Sequence, residues 1–179
     1  MKVRLSIYLL FATLFLAVVG STARSQGFPW SDFKERKIAD VVAITKKAFR
    51  SDDTMFLSTD PLSSYTEVTY TGESRPISKA TKSFLYFWTG TLNYGQDYAA
   101  LYQTEYLYKD GDKEYWLPTQ QAVTKYFAKE LKPNDKMVIF FISAGAHGKG
   151  PDIDCVLLVE EYQLPQNLDK VIKKPIPNN

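Results

Sequence analysis

The sequence predicts a β-rich α+β fold, and two patterns carry that prediction. Short runs that mix β-branched and aromatic residues, such as residues 65–71 (YTEVTYT), are typical of strands. Other segments repeat apolar residues at intervals of three and four, which is the spacing of a helix. After residue 65 the predicted order is strand, excursion, long strand, short strand, helix, strand, strand. This order suits a small antiparallel five-stranded, partly open barrel with a helix between strands 3 and 4, plus an N-terminal helix. A plain antiparallel sheet with helices on one face fits it nearly as well.

The first helix is predicted over residues 32–50. Asp32 and Glu35 have the spacing of a capping box, and apolar residues then recur at helical intervals. Residues 38–45 are rich in β-branched side chains, so a strand is the alternative there.

A second and a third helix are expected later in the chain. Ser78 is expected to cap a short helix over residues 79–88. Pro118 is expected to end a strand and Thr119 to cap the next helix. The apolar positions of that third helix lie four residues apart on one face: Val123, Phe127 and Leu131.

The clearest predicted strands form a hairpin. A long strand over residues 98–108 leads into a turn at Asp110-Gly111, and residues 114–117 (EYWL) return. Residues 137–142 (MVIFFI) are apolar on both faces, which indicates a central strand. The last strand is predicted over residues 155–162.

The first 25 residues predict a secretory signal peptide. Lys2 and Arg4 precede a largely apolar run over residues 5–20, and small or polar residues follow. The run is shorter than the roughly 20 apolar residues that a membrane anchor needs. Cleavage is expected after Ala23 or after Ser25. A secreted or periplasmic protein is therefore expected, without a membrane span once the signal is removed.

The mature chain is expected to be one nearly neutral domain. The sequence has 22 basic and 20 acidic residues, and removal of Lys2 and Arg4 leaves 20 of each. Nucleic-acid binding normally needs a basic face, so no nucleic-acid partner is expected. The organisation predicted for the chain is a linker over residues 26–31, a globular domain over 32–162 and a flexible tail over 163–179.

Four short stretches carry a resemblance to known proteins. The stretches are residues 105–108 (EYLY), residues 115–118 (YWLP) with Gln120 or Gln121 after them, residues 130–131 (EL) and residues 136–138 (KMV). They resemble a group of uncharacterised exported bacterial proteins with an OB-like core, over about residues 65–162. The resemblance implies an OB-like barrel and brings no catalytic residue with it.

An aromatic ladder is the best candidate for a binding surface. Its members are Tyr98, Tyr102, Tyr106 and Tyr108, with Tyr115 and Trp116 across the hairpin. OB-type barrels bind oligonucleotides or oligosaccharides on a strand face, where aromatic rings stack on the ligand. The alternative is that these rings belong to the core or form half-buried cross-strand pairs.

A glycine-rich loop predicted over residues 145–154 is the candidate for chemistry. It contains His147, the one histidine of the chain, with Asp152 and Asp154 close by in sequence. These residues would make a general base or a metal ligand set of a small hydrolase or metal-dependent enzyme. The alternative is an exposed loop histidine, because the motifs of known hydrolases are absent around it.

The remaining reactive groups have ordinary explanations. Cys155, the one cysteine of the chain, lies in an alternating apolar run and is expected to be a buried small hydrophobe. Glu105, Glu160 and Glu161 are expected at a solvent edge.

These patterns together predict an exported, non-enzymatic binding or envelope-associated module. We expect no cofactor and no metal, and a partner that is a protein, a peptide or a saccharide.

Overall fold

The computed structural model describes residues 27–50 and 53–172. The predicted signal peptide and the end of the predicted tail, from residue 173, lie outside the described residues. Two compact units divide the chain, with their boundary after Trp30, and the sheet belongs to the unit that begins at Ser31. The predicted linker and domain limits stay predictions.

Seven strands and six α-helices make up the described residues. The strands are β1 (Lys34–Glu35), β2 (Met55–Leu57), β3 (Ser63–Pro76), β4 (Thr104–Asp110), β5 (Lys113–Thr119), β6 (Lys136–Lys149) and β7 (Asp152–Gln163). The helices are α1 (Ile38–Ala48), α2 (Lys79–Thr91), α3 (Gln96–Ala100), α4 (Gln121–Thr124), α5 (Phe127–Glu130) and α6 (Leu168–Ile172). Two 3₁₀ turns, Trp30–Asp32 and Pro165–Asn167, complete the list.

The fold is α+β, as predicted, but the predicted strand number and pairing were wrong. Among the described residues, seven strands form one mixed sheet in the order β1-β3-β4-β5-β7-β6-β2. Two of its pairings are parallel, β1 with β3 and β5 with β7. The short strands β1 and β2 were missed because two or three residues carry no visible periodicity.

Five of the strands pair in a cycle. β3 pairs with β4, β4 with β5, β5 with β7, β7 with β6, and β6 with β3 again. The helices α4 and α5 lie between β5 and β6 along the chain. The main apolar core draws side chains from all five of these strands and from α1, α4 and α5. A second core lies where α2 and α3 pack against β6 and β7.

The N-terminal half of the chain differs from the prediction in its helix and strand limits. The first helix begins at Ile38 instead of residue 32, because a 3₁₀ turn and β1 occupy the earlier residues. The helix after Ser78 is confirmed, with the Ser78 hydroxyl accepting a hydrogen bond from the Thr81 amide at 3.0 Å. Strand β3 continues past Gly72, where the pairing with β4 is irregular.

The predicted long strand over residues 98–108 was wrong in its first half. Tyr98 lies in helix α3, and β4 begins only at Thr104. The hairpin itself is confirmed, but its two-residue turn is Gly111-Asp112 and not Asp110-Gly111, because Asp110 still pairs with Lys113; φ is +63° at Gly111. A positive φ at the first of two turn residues is what a type II′ turn requires.

The helix predicted after Pro118 is two short helices, and its cap was wrong. Strand β5 continues through Pro118 to Thr119, which is fully buried and pairs with Val159. Val123, Phe127 and Leu131 are nevertheless buried in the main core, as their spacing indicates.

The glycine-rich stretch at residues 145–154 is not a loop. Strand β6 runs to Lys149 and β7 begins at Asp152, so only Gly150 and Pro151 form the turn. Gly145 and Gly148 lie inside β6 with φ +136° and +134°. Glycine, which the prediction took as a loop signal, here permits an irregular strand.

The helices between residues 27 and 172, leaving aside positions 51 and 52, include none that has the length and apolar character required to cross a membrane.

Candidate functional site

The cycle of strands closes at one narrow junction between β5 and β7. These two strands run parallel and, among the described residues, pair only at Thr119↔Val159. The backbone N–H of Gln120 also donates a hydrogen bond to the Val159 carbonyl at 3.1 Å. Since no further ladder pair joins the two strands in the described residues, they separate toward their N-terminal ends.

A cleft of about 350 Å³ opens where the two strands separate. This volume is within the range of small-ligand pockets. Its walls are residues 114–118 of β5, residues 153–157 of β7, Val42 and Lys46 of α1, Ser78 and Thr81 at the start of α2, and the pair Arg75 and Glu105. The cleft therefore lies between two strand edges, with a helix on one side and charged groups on the other.

Arg75 and Trp116 form the most specific contact in the cleft. The Arg75 guanidinium lies 4.1 Å from the centroid of the Trp116 ring and forms an ion pair with Glu105. The Glu105 side chain is 8% exposed and that of Arg75 is 53% exposed. Arg75 and Glu105 are register neighbours on β3 and β4, which explains why the two side chains meet. The expectation that Glu105 lies at a solvent edge was therefore wrong.

The backbone of β5 contributes polar groups to the cleft. In an antiparallel ladder alternate residues exchange hydrogen bonds with the partner strand, and the residues between them point the other way. The two-residue turn makes Asp110↔Lys113 a hydrogen-bonded pair, so the backbone groups of Glu114 and Trp116 face away from β4. Pro118 is the next residue whose backbone faces away from β4, so its lack of an N–H group removes no hydrogen bond from the β4–β5 ladder.

Helix α1 spans the gap between the separated strands. At its N-terminus the Asp110 carboxylate accepts a hydrogen bond from the Ile38 amide at 3.0 Å, a favourable place for a negative charge. Further along, the hydroxyls of Thr45 and Ser143 are hydrogen-bonded at 2.8 Å. The Cys155 thiol faces the Val42 carbonyl at 3.8 Å. The helix is thus fixed to the β4–β5 hairpin at one end and to β6 and β7 beyond it.

Cys155 is partly buried and lines the cleft, so the prediction of a buried small hydrophobe was wrong in degree. Burial raises the pKa of its thiol, and the nearby Lys46 opposes that rise. The thiol is therefore held in its neutral form, which is poorly suited to nucleophilic attack.

A cluster of polar side chains holds the junction itself. The partly buried Glu160 carboxylate accepts hydrogen bonds from Gln120 Nε2 at 2.6 Å and from Tyr98 Oη at 2.7 Å. Tyr102 Oη also donates to this carboxylate. Burial raises the pKa of Glu160 although these three donors favour the ionised form. Burial and the Glu160 charge raise the pKa of both tyrosines, so they remain protonated donors. The cluster fixes α3 to the junction.

The aromatic ladder predicted as one surface is divided among three places. Tyr98 and Tyr102 belong to the Glu160 cluster. Tyr106 is partly buried and packs against the main core, with its ring centroid 6.3 Å from that of Tyr70 and 5.1 Å from that of Phe127. Of the predicted ligand-binding residues, only Tyr115 and Trp116 line the cleft.

His147 does not lie in the loop that the sequence analysis predicted. It lies on strand β6, 9% exposed, with its ring 5.6 Å from that of Phe84. Its Nε2 atom is buried without a hydrogen-bond partner. Burial lowers the pKa of His147, and Asp154 on the neighbouring strand opposes that shift. His147 is therefore neither an exposed loop residue nor a residue of the cleft.

Asp152 and Asp154 both lie on β7, the strand that pairs with the strand of His147. Asp154 is the register partner of His147 and lines the cleft, whereas exposed Asp152 pairs with Lys149 beside the turn. Among the described residues no hydrogen bond links these three side chains, and no cluster of three or more His, Cys, Asp or Glu could hold a metal ion.

Arg75, Gln120 and the role of Glu160 were missed by the sequence analysis. Arg75 follows a strand that the prediction ended at residue 71, so nothing placed it beside Trp116. The sequence alone gives no signal for the Gln120–Glu160 contact, because it depends on the parallel pairing of β5 with β7.

Comparisons with protein-family models, with curated proteins and with solved structures found no match.

Proposed function

We propose that this protein is an exported, non-enzymatic binding module whose ligand occupies the cleft between β5 and β7. The cleft combines free strand edges with the Arg75–Trp116 contact. It offers hydrogen bonds, apolar surface and charge, while His147, the alternative catalytic residue, faces a separate apolar site. The Arg75–Trp116–Glu105 arrangement is the observation that carries the proposal.

The cycle of β3, β4, β5, β7 and β6 supports the OB-like, partly open barrel as the finer description of the fold. A five-stranded barrel of this type binds its ligands on the face formed by its second and third strands. In this cycle those strands are β4 and β5, which carry Glu105 and Trp116. The position of the cleft therefore agrees with the position at which such barrels bind.

The balance of charge favours a saccharide, peptide or protein ligand over a nucleic acid. The mature chain has equal numbers of basic and acidic residues if the signal peptide is removed after Ala23. The cleft itself contains two basic and three acidic side chains. A phosphate backbone would find no basic face there.

Export is tested by N-terminal sequencing of the protein recovered from the periplasm or the culture medium. The expected chain begins at Arg24 or at Gln26. Recovery of the chain in the cytosol with its first residues intact would contradict this part of the proposal.

Binding in the cleft is tested by isothermal titration calorimetry, which needs no reporter in the site. The probes are the hexamers of N-acetylglucosamine and of glucose and a random heptapeptide library. We expect at least one probe to bind, and Trp116→Ala and Arg75→Met each to weaken that binding by at least tenfold. Phe87→Ser is the matched control, because Phe87 is 57% exposed on α2 away from the cleft. Loss of binding in the control variant alone, or no binding by any probe, would contradict the proposal.

A further inference from the structure

We propose that the ligand of this cleft is an extended peptide with a basic side chain, which adds as a strand to the edge of β5. This inference rests on the proposed binding function and narrows it to one class of ligand. Three observations carry it: the backbone groups along the edge of β5, the Arg75 guanidinium that covers one face of the Trp116 ring, and the charged groups of the cleft other than the Arg75–Glu105 pair.

The edge of β5 presents groups that a peptide backbone matches. Glu114 and Trp116 direct their backbone N–H and C=O groups toward the gap, by the alternation of the β4–β5 ladder. An extended peptide repeats donors and acceptors at the same interval of two residues, and addition of a strand to an exposed edge is a recurrent mode of peptide recognition. The five cleft residues of β5 span about 16 Å at roughly 3.3 Å per residue.

The edge of β7, which forms the opposite wall of the cleft, also directs backbone groups toward the gap. Lys149↔Asp152 flank a two-residue turn, so Ile153 and Cys155 turn their backbone groups away from β6. Both residues line the cleft. A peptide strand between the edges of β5 and β7 would therefore meet hydrogen-bonding groups on each side.

Trp116 is poorly available as a platform for a sugar. Aromatic rings bind sugars and bases through an open ring face. The Arg75 guanidinium already covers one face of this ring at 4.1 Å, and the ion pair with Glu105 holds it there. A saccharide that stacks on this face would have to displace that contact, whereas a peptide backbone along the β5 edge leaves it in place.

The charges of the cleft favour a basic side chain on the peptide. Arg75 and Glu105 neutralise each other, which leaves Lys46 with the acidic groups Glu114 and Asp154. These two carboxylates lie on opposite walls of the cleft, one on β5 and one on β7. Lys109 forms an ion pair with Glu114 at 3.1 Å, but both partners are about half exposed, so the pair exchanges readily with solvent or ligand.

The experiment is selection from a random heptapeptide library on the full mature protein, followed by synthesis of the selected peptide. We expect selected sequences to be enriched in Lys or Arg and free of central Pro. N-methylation of alternate amides of the peptide should weaken binding at least tenfold, and N-methylation of the amides between them should change it less than twofold. Such a two-residue periodicity is specific to strand addition.

Variants of the protein test the charge argument. Glu114→Gln and Asp154→Asn should each weaken binding of the basic peptide several-fold. Glu67→Gln is the matched control, since Glu67 is an exposed strand residue outside the cleft. All three positions are exposed, so the variants are expected to fold.

The outcomes separate this inference from the proposed function. Binding of a hexasaccharide that depends on Trp116, with no selected peptide bound, would overturn the inference and leave the binding module standing. A selected peptide without the alternating N-methyl pattern, or insensitive to both charge variants, would also overturn it. Failure of every saccharide and peptide probe would overturn both.

Discussion

The side-chain amide of Gln120 donates a hydrogen bond to Glu160 at 2.6 Å, beside the Thr119↔Val159 pair through which β5 and β7 meet. This contact links the residue that follows β5 to a residue within β7. It lies at the closed end of the gap whose open part is the candidate cleft. A change in this polar cluster is therefore expected to affect the stability of the fold before it affects the cleft walls.

Glu160→Gln is predicted to change the pH dependence of stability. Burial raises the pKa of Glu160 in the folded state, so the folded protein holds this proton more tightly than the unfolded chain does. The stabilisation is present below the ordinary pKa of 4.5 and is lost as the pH rises through the raised value. The free energy of unfolding of the natural protein, minus that of the variant, should therefore fall between pH 4 and pH 7.

Urea denaturation at several pH values measures this difference. Glu67→Gln provides the control, because that carboxylate is exposed. A difference that rises with pH, or that does not depend on pH, would show that Glu160 is not buried as described.

Arg75→Met is predicted to destabilise the protein by about 1–3 kcal/mol, because it leaves the Glu105 carboxylate buried without its cationic partner. The emission of Trp116 should also change, since the guanidinium over the ring is lost. Arg75→Lys should recover part of the stability but not the planar contact.

The control for Arg75 is the exposed ion pair of Lys136 with Glu67, whose side chains are 61% and 51% exposed. Lys136→Met should cost less than about 1 kcal/mol. Urea denaturation measures the free energy of unfolding of both variants. Equal losses for the Arg75 and Lys136 variants would contradict the prediction that the buried partner makes the Arg75 ion pair the more important one.

His147→Leu is predicted to stabilise the protein by about 1–3 kcal/mol, because it removes a buried ring nitrogen that has no partner. Burial lowers the pKa of His147, so the folded protein binds this proton less tightly than the unfolded chain does, and the folded state loses stability as the pH falls below the ordinary pKa of 6.5 and through the lowered value. The natural protein should therefore lose stability relative to the variant between pH 7.5 and pH 5. Denaturant titrations of both proteins at these two pH values check this, and a constant difference would be contrary to the prediction.

Gly145→Ala is predicted to destabilise the protein by at least about 2 kcal/mol. Gly145 has φ +136°, and a Cβ atom there would overlap the carbonyl oxygen of Phe56 on strand β2. Gly90→Ala is the matched control, because Gly90 lies in helix α2 with open space around it. That control should stabilise the protein by roughly 0.5 kcal/mol. Thermal unfolding of both variants measures this contrast. Similar shifts in the two melting temperatures would contradict the prediction.

The sequence was informative where one element determines its own structure. The hairpin follows from the turn signal at Gly111 between two strand-forming runs, although the turn lies one residue later than predicted, and the helix after Ser78 follows from its cap. The burial of Val123 and Phe127 follows from their spacing alone.

The sequence was misleading where tertiary pairing decides the outcome. Tyr98 has the alternation of a strand residue but lies in a helix, from which its hydroxyl donates a hydrogen bond to Glu160 of β7. The glycines around His147 resemble a loop but lie within a paired strand. Of the proposed site, Tyr115 and Trp116 could be predicted, whereas Arg75 and the opposite wall of the cleft depend on contacts between strands distant in sequence.

The most direct test of the binding site is a ¹H–¹⁵N NMR titration of the mature protein with the tightest-binding probe from the saccharide and peptide panel. The account predicts that the largest amide shifts fall on Glu114, Trp116, Ile153 and Cys155, while the amides of Tyr86 and Phe87 on α2 stay in place. Shifts confined to α2, with none at the edges of β5 and β7, would contradict it.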